Sequence, residues 1–384
     1  MSIGKIYCLI MKFKVSSQAL LQRLQALSRV IVSKSTVPVL STFFLEWDKE
    51  RLSITATDGE IRLKSWLPIE EVEDEGSICI DTRILLEGVR GLSDQPIEFD
   101  INPVSDEITV RYDTGLFSFI GQQGDIYPKL PCLSDKTSSM EIETSLLLRK
   151  ISKTIFATST DELRPVMTGV YFEALEDSLN TVASDGHKLI HMREVNQSFD
   201  EKNSFIMSRK TGHLLKGLLS GVTGMVKLEF DSEQLHVFME GFEMYARLIT
   251  GRYPNYQAVI PKTSNVQVRV DRASFLSAIR RVACFSNMDS NLMKLVFDRG
   301  RIEVTAQDVD FSVSGNESIP CDYEGEKMTI GFKAFFLIEL LSNIESQDVI
   351  VQLGSPMQPA LFLPSEDGEA EHMTQLLMPM SVVD

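Results

Sequence analysis

The sequence predicts an α+β protein made of three copies of one domain, each copy itself two units of strand, helix and antiparallel meander. Three observations predict this. A strand running into an amphipathic helix recurs at long intervals: Phe13-Lys14-Val15 before residues 17–32, Met140-Glu141-Ile142 before 146–158, and 266–270 before 272–285. From Phe13 to Ile142 to Val268 the steps are 129 and 126 residues, whereas solenoid repeats are about 20–50 residues long, so each step is a whole domain. The same unit returns half-way through each domain, at offsets of 67, 65 and 62 residues (Phe13 to Ile80, Ile142 to Met207, Val268 to Ile330).

The elements follow in order. Leu20, Leu21, Leu24 and Leu27 recur at helical spacing in the first helix, Leu147, Ile151 and Ile155 in the next equivalent, and Phe275, Leu276, Ile279 and Val282 in the third. The half-way strands 77–80, 204–207 and 328–331 lead into helices over 82–92, 208–219 and 333–343. Each helix is followed by alternating strand pairs around turn residues: 43–47 and 52–56, 170–173 and 180–183, 295–297 and 302–305. Period-two alternation bounded in this way signals antiparallel hairpins, with the helices on one face of the sheets. The repeat begins at Met11-Lys12-Phe13, so residues 1–10 read as an extension, followed by domains over 11–135, 136–262 and 263–384.

The formal charge of −16 argues against broad adhesion to nucleic acid or anionic membrane. Five scattered cysteines show neither zinc nor redox spacing, as expected of reduced thiols in a cytoplasmic protein that holds no metal. No apolar run approaches a membrane span, and Ile6-Tyr7-Cys8-Leu9-Ile10 is short for a signal core. The charge is unevenly placed. The six helical segments carry fourteen basic residues and only two acids, Glu87 and Glu339, leaving 24 basic and 52 acidic residues elsewhere. One basic helix is ordinarily a solvated face. Six equivalent ones predict a basic wall and an acidic exterior, which would hold a phosphate backbone without reading its sequence.

Ser184-Asp185-Gly186-His187 has the residue types of a hydrolytic triad, but neighbours in one tight turn do not converge into a relay. Ala56-Thr57-Asp58-Gly59 and Ala306-Gln307-Asp308 occupy the same place in the other domains, so the motif reads as turn chemistry. No H-E-x-x-H, Walker loop, G-x-G-x-x-G or tuned carboxylate pair is present. The expectation is a protein without catalytic activity or cofactor.

Several stretches then carry a resemblance: Met11-Lys12-Phe13 and its helix, 164–173, Ala183-Ser184-Asp185-Gly186-His187-Lys188-Leu189, Gly251-Arg252-Tyr253-Pro254-Asn255-Tyr256, and Met378-Pro379-Met380. In that order and at those distances, residues 11–384 resemble the bacterial β sliding clamps, the processivity subunit of DNA polymerase III. The resemblance implies a head-to-tail homodimer, three clamp domains per chain, closing a ring whose helices face duplex DNA. Such a ring tethers the replicative polymerase and is opened by an ATP-driven clamp loader. It also implies a hydrophobic pocket for short linear motifs of polymerases, loader and repair proteins, formed by Met167, Ser184, Gly186, His187, Lys188, Leu189, Pro254, Val259, Pro359, Leu376, Leu377, Met378, Pro379 and Met380. Methionine and aliphatic side chains suit such an adaptable groove.

Expected DNA contacts are Arg23, Arg29, Lys34, Arg83, Arg149, Lys150, Lys153, Arg164, Arg209, Lys210, Lys216, Arg280 and Arg281, with Lys34 and Arg164 placed by the resemblance and the others by the helices. Phe117, Cys284 and Phe285 match the family's dimer contact. Three departures bear on the pocket: Ala258 and Lys188 stand where relatives often have a basic residue and an arginine, and the tail runs on as Ser381-Val382-Val383-Asp384. Asp161 stands for a neutral residue among the family's DNA contacts. The competing expectation is a repeat adaptor that binds acidic polymers without encircling them.

Overall fold

In each half-domain a strand passes directly into a helix, and at several of these joints a side chain caps the helix. Ser16 Oγ accepts from Ala19 N at 3.2 Å, Asp81 Oδ1 from Ile84 N at 3.0 Å and Asp271 Oδ1 from Ser274 N at 2.7 Å. These bonds satisfy helix N–H groups that have no partner within the helix. The computed structural model describes residues 10–32, 36–129, 136–195, 197, 199, 202–262, 266–366 and 368–382. The N-terminal extension falls almost wholly outside that set, as do Lys34, Cys8 and Cys132.

The first repeat contains β1 (Met11–Ser16), α1 (Ser17–Leu27), β2 (Thr42–Trp47), β3 (Arg51–Thr57), β4 (Ile61–Pro68), β5 (Gly76–Asp81), α2 (Thr82–Arg90), β6 (Pro96–Ile101), β7 (Glu107–Tyr112), β8 (Gly115–Ile120) and the short β9 (Gln122–Gln123). The second contains β10 (Ser138–Glu143), α3 (Thr144–Thr154), β11 (Gly169–Leu175), β12 (Ser178–Ser184), β13 (Lys188–Glu194), β14 (Asn203–Ser208), α4 (Arg209–Leu219), β15 (Met225–Phe230), β16 (Gln234–Met239) and β17 (Phe242–Arg247). The third contains β18 (Val266–Asp271), α5 (Arg272–Ala283), β19 (Leu292–Asp298), β20 (Arg301–Asp308), β21 (Val313–Pro320), β22 (Met328–Lys333), α6 (Ala334–Asn343), β23 (Asp348–Leu353), β24 (Ala360–Pro364) and β25 (Glu371–Leu377). All six expected helices and the three expected hairpins are present, the helices ending up to five residues earlier than their apolar periodicity.

The two halves of each repeat exchange their first strands. β1 joins β6 while β5 joins β2; β10 joins β15 while β14 joins β11; β18 joins β23 while β22 joins β19. Sheets then run across the repeats. β4 pairs with β17 to complete a nine-stranded sheet, and β13 pairs with β25 to complete an eight-stranded one. Two four-stranded sheets remain, ordered β1-β6-β7-β8 and β21-β20-β19-β22.

The chain forms two compact units that differ from the sequence repeats: unit one is Met1–Leu146 with Leu214–Leu248, and unit two is Leu147–His213 with Ile249–Asp384. In unit one Phe13 stacks on Phe99 at 4.9 Å and leans on Trp47 at 5.2 Å. In unit two Phe172 stacks on Phe205 at 5.0 Å, and Phe332 meets Phe362 edge-on at 6.0 Å. Offset and edge-on aromatic contacts of this kind anchor the cores. Among the described residues no helix is long and apolar enough to cross a membrane, and no group of three or more His, Cys, Asp or Glu could hold a metal ion.

Candidate partner groove and basic surfaces

The turn from Ser184 to Lys188 is fixed by its own side chains. Gly186 has φ +90°, a left-handed conformation that glycine adopts without strain. Ser184 Oγ donates to the Lys188 carbonyl at 2.8 Å and accepts from Gly186 N at 3.1 Å. Asp185 Oδ1 accepts from the backbone N of His187 and of Lys188, both at 2.8 Å. The first repeat has the same construction: Thr57 Oγ1 donates to Ile61 O at 2.8 Å, and Asp58 Oδ1 accepts from Glu60 N and Ile61 N. Ser184 Oγ and Asp185 Oδ1 are thus committed to backbone, Asp185 Oδ2 accepts from Lys188 Nζ, and the turn contains no nucleophile–base relay.

This turn delivers β13 in a register that sorts the expected pocket residues onto two faces. Leu189 lies opposite Leu376, and Lys188 opposite Leu377. Leu189 and Leu376 join Val182, Ile206, Tyr253, Tyr256 and Leu361 in one buried cluster, with Val166 and Ile260 packed against it. Tyr171 stacks on Tyr253 at 4.7 Å, and Tyr256 donates to Glu173 at 2.7 Å, which holds the aromatic wall in place. Around this floor lie the exposed Pro254 and Val259, and Gly186 faces the methyl end of Met167, while the exposed His187 ring lies 6.1 Å from the Phe336 ring of α6. A cavity of about 270 Å³ adjoins it, lined by Pro261, Leu353, Pro359 and Leu361 among others. The tail forms the last wall: Met378 N donates to His187 O at 2.8 Å, and Met380 N to Gly331 O at 2.7 Å. Met378 remains 39% exposed and Pro379 half-buried.

Two expected pocket residues belong elsewhere. Lys188 and Leu377 fall on the other face of the sheet, because adjacent strand residues point in opposite directions. Leu377 is fully buried there. Lys188 Nζ sits 2.9 Å from Asp185, 3.0 Å from Glu339 of α6 and 4.2 Å above the Phe336 ring. Its ammonium therefore ties the turn to α6 from behind the groove. Tyr171, Val182, Tyr253, Tyr256 and Leu361 join the groove beyond the residues expected from sequence, although alternation from Leu189 across the hairpin reaches Val182.

The basic residues sort likewise. Arg29, Arg83, Arg209, Lys210, Lys216 and Arg280 are exposed, and Arg23 lies over Phe242 at 5.0 Å. Others are paired: Arg149 with Glu345 and Glu371, Lys153 with Glu345, Arg281 with Glu317, and Arg164 with Asp161 at 2.9 Å. The Asp161 departure thus supplies a carboxylate to the arginine beside it. Lys150 corrects the expectation: it is 0% exposed, with Nζ 3.1 Å from Glu371 and 3.4 Å from Glu194, and cannot contact DNA. It lies three residues after Leu147, on the buried stripe of α3 with Thr144, Ile151 and Thr154.

Family comparison covers the chain in three consecutive matches: DNA polymerase III beta subunit, N-terminal domain, over residues 11–131, central domain over 141–255, and C-terminal domain over 257–381. The chain belongs to the DNA polymerase III beta subunit family. The family is that of the bacterial sliding clamps, and a processivity role in replication comes with it. The beta sliding clamp of Synechococcus elongatus is 29% identical, covering 97% of this chain and 100% of the relative. That of Bacillus subtilis is 26% identical, covering 96% and 99%. Among solved structures, the Pseudomonas aeruginosa sliding clamp bound to griselimycin aligns with TM-score 0.91 at 25% identity, over 97% of this chain and all of that one. The Bacillus subtilis clamp structure aligns at 0.90 and 25% identity with the same coverage.

Leu189 gives a direct test of the groove in this clamp-family chain. Leu189→Asp is expected to weaken a polymerase-derived peptide about tenfold or more, because one buried anchor dominates such sites. Fluorescence anisotropy checks it; unchanged affinity would place peptide docking elsewhere.

Proposed function

We propose that two copies of this chain close head to tail around duplex DNA and slide along it without reading sequence. The ring tethers the replicative polymerase, the clamp loader and repair proteins through the unit-two groove. It acts in the cytoplasm without catalysis or cofactor, and is built from domains 11–135, 136–262 and 263–384 with residues 1–10 outside them. The observation that carries this reading is the pair of strands left at sheet edges. β8 presents Leu116 and Ile120 to solvent, and β21 presents Val313. Such edges ordinarily invite pairing with another chain, and a heterologous contact repeated twice closes a ring.

Exposed arginines just after α1 and on α2, α4 and α5 would supply the phosphate contacts, and tethering raises the polymerase's effective concentration at the primer end. Clamps loaded on closed circular DNA should be retained at moderate salt and lost once the circle is cut. Equal retention on cut and closed circles, measured by gel filtration, would rule out encirclement. The apolar tail is expected to act apart from the ring: deletion of residues 378–384 removes the bonds to His187 and Gly331. Peptide affinity should fall about tenfold while the dimer persists by sedimentation. A deletion that leaves affinity unchanged would remove the tail from the groove.

A further inference from the structure

Unit one repeats the strand plan of unit two. β10-β15-β16-β17-β4-β3-β2-β5 and β18-β23-β24-β25-β13-β12-β11-β14 run in the same order. Their registers correspond residue for residue around the groove. Leu189 pairs with Ser184 on one side and Leu376 on the other; Arg62 pairs with Thr57 and Tyr245. Tyr171 lies between Val182 and Ile206, and Phe44 between Thr55 and Cys79. Leu376 faces Leu361, and Tyr245 faces His236. Even the aromatic wall recurs: Tyr253 stacks on Tyr171 at 4.7 Å, and Tyr127 on Phe44 at 4.8 Å.

At this place unit one has a cavity of about 380 Å³, lined by Phe44, Thr55, Arg62, Gly124, Tyr127 and Pro128 among others. Its chemistry differs from that of the partner groove. Arg62 stands where Leu189 would be, Tyr245 for Leu376 and His236 for Leu361. The Arg62 guanidinium lies 5.5 Å over the Tyr127 ring and donates to the Pro128 carbonyl. Among the described residues no carboxylate pairs with it, whereas the nearby Glu46 is 3.8 Å from Lys64. Lys64 and Lys129 also line the cavity, with Glu46 and Asp125 as the acids. Burial lowers the Arg62 proton affinity from its ordinary value, as befits a half-buried cation without a counter-ion. His236 stacks on Tyr245 at 3.6 Å, and its buried Nε2 has no hydrogen-bond partner among the described residues.

We propose that unit one carries a second docking groove, which takes a carboxylate-bearing aromatic segment of a partner protein through Arg62. A guanidinium over an aromatic ring has N–H groups to spare for a bidentate carboxylate, and Phe44 and Tyr127, which line the cavity, give an aromatic side chain an apolar surface to pack against. The proposal rests on unit two being a peptide groove, since the shared strand plan is what marks the place.

The test uses the full-length protein and a fluorescein-labelled peptide, Gly-Asp-Tyr-Asp-Gly, with Gly-Asn-Tyr-Asn-Gly as the uncharged control, read by anisotropy. Saturable binding of the acidic peptide is expected. Arg62→Leu or the asparagine control should weaken it about tenfold or more, Arg62→Lys should weaken it less, and Leu189→Asp should leave it unchanged. Circular dichroism establishes that each variant is folded, and Arg62→Lys stands in if Arg62→Leu is not. Absence of saturable binding, binding indifferent to Arg62, or binding lost in Leu189→Asp each overturns the proposal. An apolar polymerase-derived peptide titrated in parallel against Leu189→Asp reports on unit two separately, so the two readings fail independently.

Discussion

Replacing Phe117 and Phe285 together with aspartate is expected to split the proposed dimer while each polypeptide stays folded. Phe117 lies on the edge strand β8, against Phe119 at 6.0 Å and Tyr112 at 6.1 Å, and its ring leaves only 3.0 Å for a Cβ at Gly88 of α2. Phe285 follows α5, is 40% exposed, and lies so close over Gly315 of β21 that an added Cβ would come within 2.6 Å of it. Each aromatic therefore sits over a glycine beside an open edge, apolar and accessible. A carboxylate at either place would be buried unpaired on association, at about 3–5 kcal/mol each, or at least a hundredfold in dissociation constant. Neither ring is fully buried in its own unit, so the separated chain retains its cores. Sedimentation velocity decides the matter: a double variant that still sediments as a dimer would show that the two edges meet nothing.

The Lys150→Ala variant should lose about 3–5 kcal/mol of stability, because it leaves Glu371 and Glu194 buried without their cation. Arg149 compensates only in part. It reaches Glu371 at 2.8 Å through Nε but is half-exposed and shared with Glu345. A Lys150→Met, Glu194→Gln double variant should recover much of the loss, since it removes the more buried carboxylate together with its cation and leaves Glu371 its bond to Arg149. Chemical denaturation measures both. If Lys150→Ala melted like the parent, water would be reaching the pair and the buried network would contribute little.

Lys150 also shows where the sequence stops being informative. Helical periodicity located α3, yet a count of basic residues treats every lysine of a helix as outward, and only the spacing from Leu147 and Ile151 betrays this one. The groove was legible as a set of residues through the turn at Ser184 and the tail at Met378. Its two faces were not, because the assignment of Lys188 and Leu377 depends on the register of β13 against β25, strands far apart in the chain. The hairpins were legible for the opposite reason: short turns such as Asp48–Arg51 carry their own side-chain bonds. The strand exchange between half-domains, and the joining of β4 to β17, rest on backbone hydrogen bonds, which any side-chain sequence can make.

That exchange changes what it means to cut the chain. The middle repeat gives one half of its strands to each of two continuous sheets, so it is a splice rather than a bead. Excised at residues 136 and 262, it would present β13 and β17 as raw edges, stripped of β25 and β4. Such a fragment would look for new strands and meet others of its kind. The smallest pieces that keep their ladders whole are instead discontinuous in sequence, one reaching from the first repeat into the second and the other from the second into the third. A protease nick at a repeat boundary would leave both standing, held by strands that no longer share a peptide bond.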